Sequence, residues 1–98
     1  KHMYICIMTE TDFIIAYFRY LGYKFIDEYN YSGGNKLLYE NGNTSIEVYF
    51  NYHTEKVSNI CVENKLKGFE PYIGKYQDYL DKQDKDIMRD FKLSLLVQ

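Results

Sequence analysis

Glu40, Glu47, Glu63, His53 and Cys61 carry most of the chemistry this sequence offers, and all five fall within residues 40–63. Paired carboxylates can divide general acid and general base work. A cysteine in hydrogen-bond contact with a histidine becomes a nucleophile. Apart from His2, His53 is the sole histidine, so a mechanism that needs two imidazoles in a native site is excluded. Whether the other groups can act together depends on the strands that place them.

Two of those strands read clearly. Over Thr44–His53 the residues Ile46, Val48, Phe50 and Tyr52 alternate with Glu47, Tyr49, Asn51 and His53, the period of a half-buried strand. A tight turn at Thr54-Glu55-Lys56 leads to a second strand, Val57–Asn64. A hairpin centred on Glu55 pairs Phe50 with Ile60 and Val48 with Val62, apolar beside apolar. On the opposite face this register sets Tyr49 against Cys61, Asn51 against Asn59, and Glu47 against Glu63. Cys61 then lies four residues from His53, on the order of 13 Å, too far for a dyad. Two glutamates directly opposite each other weaken a sheet by a few tenths to about 1 kcal/mol. Either Lys36 neutralises the pair, or the acids await a cationic partner.

The rest of the chain supplies the surrounding elements. Thr9-Glu10-Thr11-Asp12 resembles a capping box, and Phe13, Ile14, Tyr17, Phe18 and Leu21 follow on one helical face before Gly22, which predicts a helix over 10–21. Tyr4–Met8 is apolar and fits a short strand or an early helical turn equally well. Tyr23–Tyr29 and Lys36–Glu40 read as strands around a turn-rich loop, with Asn41-Gly42 as the following hairpin turn. That turn pairs Leu37 with Ile46 inside and Lys36 with Glu47 outside. Pro71 fits a first helical position, with Tyr72, Ile73, Tyr76 and Leu80 on one face. A second helical run opens at Asp84 or Asp86 and carries Ile87, Met88, Phe91, Leu95 and Leu96. The expected fold is a single α+β domain: an N-terminal helix, a four-stranded antiparallel meander, and two C-terminal helices or one bent helix. Helices at both ends cover one sheet face and leave the other open. The candidate partner-binding residues on that open face are Glu40, Glu47, Tyr49, Asn51, His53 and Glu63, with Asp27 on the first strand.

Other motifs carry less. Asp78, Asp81, Asp84, Asp86 and Asp90 interleave with Lys75, Lys82, Lys85, Arg89 and Lys92, the mixture of a solvated helix face. No calcium-loop spacing accompanies them. Ser32-Gly33-Gly34-Asn35 lacks the lysine and following helix of a phosphate loop. Cys6 and Cys61 share no metal-site spacing, so no metal or cofactor is expected. The formal net charge of −2 does not suggest a nucleic-acid binder. It is unevenly spread, with a net of −3 over residues 1–55 and +1 over 56–98. No stretch is long and apolar enough to span a membrane. Lys1-His2 reads as a cloning remnant, and the protein as cytoplasmic. Twelve tyrosines and six phenylalanines, without tryptophan, suit half-buried sheet faces and partner surfaces.

The stretch YFRYLGYKFIDEY, followed by LLYENGNTSIEVYFNYHTEKVSNICVEN, resembles small bacterial immunity proteins of polymorphic and contact-dependent inhibition toxin systems. The resemblance covers roughly residues 9–65 and carries no invariant motif, so no functional residue transfers from it. It implies a non-enzymatic, stoichiometric inhibitor of one toxin domain, and an acidic face would suit a basic toxin. The alternatives are a homo-oligomeric (for instance dimeric) assembly module that buries the same face against itself, and a small enzyme with no recognisable site.

Overall fold

The computed structural model describes residues 8–97. The chain forms helix α1 (Glu10–Tyr20), strands β1 (Lys24–Tyr31), β2 (Gly34–Asn41), β3 (Thr44–Phe50), β4 (Val57–Asn64) and β5 (Tyr72–Lys75), then helices α2 (Tyr76–Asp81) and α3 (Lys85–Leu96). The sheet is an antiparallel meander in the order β1-β2-β3-β4-β5. The α+β class and the placement of helices at both ends agree with the sequence reading. The apolar stretch at Tyr4–Ile7, including Cys6, lies outside the described residues. Met8 packs against the core. No helix among the described residues is long and apolar enough to cross a membrane.

Helix α1 starts where its capping box requires. Thr9 Oγ1 accepts the Asp12 N–H at 3.0 Å, and two acids sit in the first turn. Gly22 follows the helix at φ 92°, a conformation that costs glycine least. The helix then buries Ile14, Tyr17 and Phe18. Phe18 lies at the centre of an aromatic cluster, its ring 5.6 Å from Tyr39, 5.9 Å from Tyr23 and 6.1 Å from Tyr79. Phe91 of α3 packs on the same helix, 5.1 Å from Tyr17 and 5.3 Å from Phe13. Tyr17 Oη donates to Gln83 Oε1 at 2.8 Å and so ties α1 to the α2–α3 turn.

Among the described residues the sheet has five strands where four were expected. Tyr72–Lys75 is β5, not the opening of a helix at Pro71. The period-two pattern is there in retrospect: Tyr72 faces inward beside Val62, and Ile73 faces outward beside Cys61. Strand β4 offers backbone donors and acceptors on its far edge, and a four-residue strand satisfies part of that edge. Helix α2 follows at Tyr76 without a break. Asp84 then caps α3, accepting the N–H groups of Asp86 and Ile87 at 2.9 and 3.0 Å.

Both central hairpins are shifted by one step from the expected register. The β2–β3 turn is Gly42-Asn43, so Leu37 faces Val48 and Lys36 faces Tyr49. In β3–β4, Val48 faces Ile60, Ile46 faces Val62, Glu47 faces Cys61 and Ser45 faces Glu63. Each partner changes by two residues, so every side chain keeps its expected face. The cause is Asn51. Its Oδ1 accepts the N–H groups of His53 and Thr54 at 2.9 and 3.0 Å, which draws the chain out of the ladder after Phe50. The loop closes at Glu55, whose φ of 55° lies in the left-handed region. Thr11 anchors that strained residue, its hydroxyl and its N–H both bonding the Glu55 carbonyl, at 2.8 and 3.2 Å. Glu10 Oε1 accepts the Val57 N–H at 2.9 Å.

Burial holds several tyrosines neutral. Tyr76 is pushed up to about 12 by burial and then by the Glu10 charge, and burial raises Tyr79 further. The unfolded chain ionises its tyrosines from about pH 10. Stability lent by these residues is therefore complete below pH 10 and is lost as pH rises through the folded-state values. The thermal midpoint should fall above pH 10, and Tyr79→Phe should lessen that fall. An alkaline transition of unchanged steepness in the Phe variant, followed by circular dichroism, would contradict the burial of this hydroxyl.

Candidate functional site

The helices cover one face of the sheet, and the strand register dictates what lies on the other. Paired residues share a face in an antiparallel ladder, so the open face can be read as rows running from β1 to β5. One row is Tyr29, Lys36, Tyr49, Asn59 and Lys75. The next is Asp27, Leu38, Glu47, Cys61 and Ile73. A third row holds Lys24, Glu40, Ser45 and Glu63.

Five of the seven candidate residues thus share the open face: Asp27, Glu40, Glu47, Tyr49 and Glu63. Asn51 and His53 do not. Strand β3 ends at Phe50, and both sit in the loop beyond it. Asn51 serves the turn, and the His53 ring packs edge-on to Tyr52 at 5.9 Å.

Glu47 is the hub of the face. Lys36 Nζ donates to its Oε2 at 2.9 Å, and Tyr49 Oη donates to its Oε1 at 3.2 Å. Lys36 also lies over the Tyr29 and Tyr49 rings, 4.8 and 5.7 Å from their centroids. The hydrogen bond that Lys36 donates to Glu47 raises the Lys36 pKa, and burial raises that of Tyr49. The expected opposition of Glu47 and Glu63 is not formed, since Glu63 stands diagonally beyond Cys61. Among the described residues Asp27, Glu40 and Glu63 form no ion pair, although Glu40 faces Lys24 across the β1–β2 ladder. Asp27 instead accepts the Glu28 N–H at 2.7 Å, Glu40 accepts the Ser45 hydroxyl at 3.5 Å, and Glu63 lies 3.9 Å from the Cys61 thiol.

The chemical capacity of this arrangement is limited by Cys61. Its thiol is buried, and burial raises its pKa, helped by the charges of Glu47 and then Glu63. A raised pKa keeps the thiol protonated near neutrality, so it is a poor nucleophile. From Glu47, its partner across the ladder, β3 runs three more residues, about 10 Å, before the loop that carries His53. One ligand atom from each of Glu47, Cys61 and Glu63 falls within 4.8 Å of the others. Zinc would need the thiolate, and Glu47 already serves Lys36 and Tyr49. This convergence was missed from sequence because the expected register set Cys61 against Tyr49.

The two glutamates should respond differently to neutralisation. Glu47→Gln breaks a half-buried ion pair and should cost about 0.5–1 kcal/mol. Glu63→Gln removes a carboxylate with no cation and should stay within about 0.5 kcal/mol of the parent. Because pairing raises the Lys36 pKa, the Glu47 effect should be full at neutral pH and fade as pH rises through the folded-state value. Urea titration of the free protein checks both, and equal costs would contradict the Lys36–Glu47 assignment. No family model, curated protein or solved structure matches this chain.

Proposed function

We propose that this chain is a non-catalytic binding module that neutralises a basic partner protein by stoichiometric capture in the cytoplasm, as an immunity protein does a bacterial toxin. The open face of the sheet is its gripping surface. The observation that carries this reading is that face's composition. Asp27, Glu40 and Glu63 form no ion pair among the described residues, and they adjoin the apolar side chains of Leu38 and, on the edge strands, of Tyr29 and Ile73, the last 72% exposed. Acids beside exposed aromatic and aliphatic side chains suit a basic protein surface. The charges speed encounter, and the rings supply the anchoring contacts. The raised thiol pKa of Cys61 and its separation from His53 along the strands also favour binding over catalysis.

Self-association is the second reading, and one feature favours it. Lys36 and Lys75 lie two rows away from Glu40 and Glu63, so two copies stacked head to tail would set acid against base.

The test is co-expression with the product of the neighbouring open reading frame, followed by affinity measurement. Glu63→Lys should weaken binding by at least about tenfold, largely through a slower association rate. Tyr49→Ala should cost about 2 kcal/mol if the ring is an anchor. Asp78→Lys on α2 should change little. If Glu63→Lys binds as tightly as the parent, or if light scattering gives a dimer that Lys75→Glu dissolves, the capture reading fails.

A further inference from the structure

A cleft of about 470 Å³ opens where the β1–β2 hairpin meets the β3–β4 loop. It sits at the end of the sheet, with Glu28 and Asn30 on the helix side and Tyr31 two residues along the open face from Tyr29. Glu28 pairs with the inward-facing Leu37, and Asn30 with Asn35, yet every residue of β1 is exposed. Glu28, Asn30, Tyr31, Asn51, Tyr52 and His53 form most of its walls.

The amides in these walls hold them together. Asn35 Nδ2 donates to Asn30 Oδ1, and Asn35 Oδ1 accepts the Tyr52 N–H at 3.2 Å. Asn51 Oδ1 is committed to the N–H groups of His53 and Thr54. With those acceptors engaged, the cleft offers a ligand the Glu28 carboxylate, the His53 imidazole and the Tyr52 ring, which is 65% exposed. No lysine or arginine lines it. Glu28 forms no ion pair among the described residues.

A carboxylate beside exposed aromatic rings is matched by a flat, weakly hydrated cation. A guanidinium meets both demands: its N–H fork bonds a carboxylate twice, and its plane stacks on a ring. We infer that this cleft is a receptor for an arginine side chain. It provides a second anchor for a basic partner, with Glu28 on the opposite side of the sheet from Glu47 and Glu63. The source of the arginine rests on the capture reading, whereas the chemistry of the cleft does not.

The probes are N-acetyl-arginine amide and its neutral isostere N-acetyl-citrulline amide, titrated into the isotope-labelled protein and followed by amide NMR. The arginine probe should shift the signals of Gly33, Gly34 and Tyr52 and saturate in the millimolar range, while citrulline should leave them in place. Glu28→Gln should weaken the response about tenfold, the scale of one charge-assisted contact. Tyr52→Ala should weaken it as well, and unmoved signals from Phe18 and Ile46 would show that the fold is intact. An equal response to citrulline, an undiminished response in Glu28→Gln, or no response to either probe would each overturn the assignment. Failure of the arginine titration leaves the Glu63→Lys experiment unaffected, because Glu28 and Glu63 lie on opposite faces. Arginine binding alongside an unaffected Glu63→Lys variant would keep the cleft and reject the open-face grip.

Discussion

Burial of the inner side of the two central strands is the constraint on which the rest of the structure depends. Ile46, Val48 and Ile60 are at most 1% exposed. A strand alternates its side chains, so fixing these three inward fixes Glu47, Tyr49 and Cys61 outward. The helices follow from the same burial, since the inward row needs Phe18 and Tyr79 to close over it. The N-terminus of α1 performs a second service by gripping Glu55. That contact holds the strained turn of the β3–β4 loop and so stabilises the hairpin that orders both faces.

Much of this was legible from residue types alone. The Thr9 cap, the helical stripe through Phe18 and the alternation read over residues 44–53 each carried one physical signal; the first two formed as read, and the alternation held as far as Phe50. Register was less legible. Turn chemistry sets it, and Asn51 reads equally well as an outward strand residue or as a turn former that folds back on the backbone. The choice shifted pairing by two residues and broke the expected contact between Glu47 and Glu63, but it left every side chain on its face. It also removed Asn51 and His53 from the sheet. Strand β5 was illegible for a different reason. Tyr72, Ile73, Tyr76 and Leu80 satisfy helical spacing, and the competing demand comes from the free edge of β4, which is a tertiary fact.

The site changed character with the register. Glu47 read as half of a repelling pair that either Lys36 neutralises or a cationic partner meets, and Lys36 with Tyr49 satisfies it. The acids without an ion pair are Glu40, Glu63 and Asp27, which border the hub. The centre of the face is thus paired within itself, and the exposed Tyr29 and Ile73 side chains lie on the edge strands. The polar cleft at the hairpin end again sets an acid without an ion pair, Glu28, beside aromatic side chains.

The most direct measurement of the central claim is methyl NMR of the protein titrated with the product of the neighbouring open reading frame. Leu38 and Ile73 carry methyl groups on the open face, while Ile87, Met88 and Leu93 carry them on α3. The expected result is that the signals of Leu38 and Ile73 move or broaden on binding while those of α3 stay in place. Perturbation of Ile87, Met88 and Leu93 with Leu38 and Ile73 unmoved would show that the partner binds the helical layer, and would contradict the open sheet as the gripping surface.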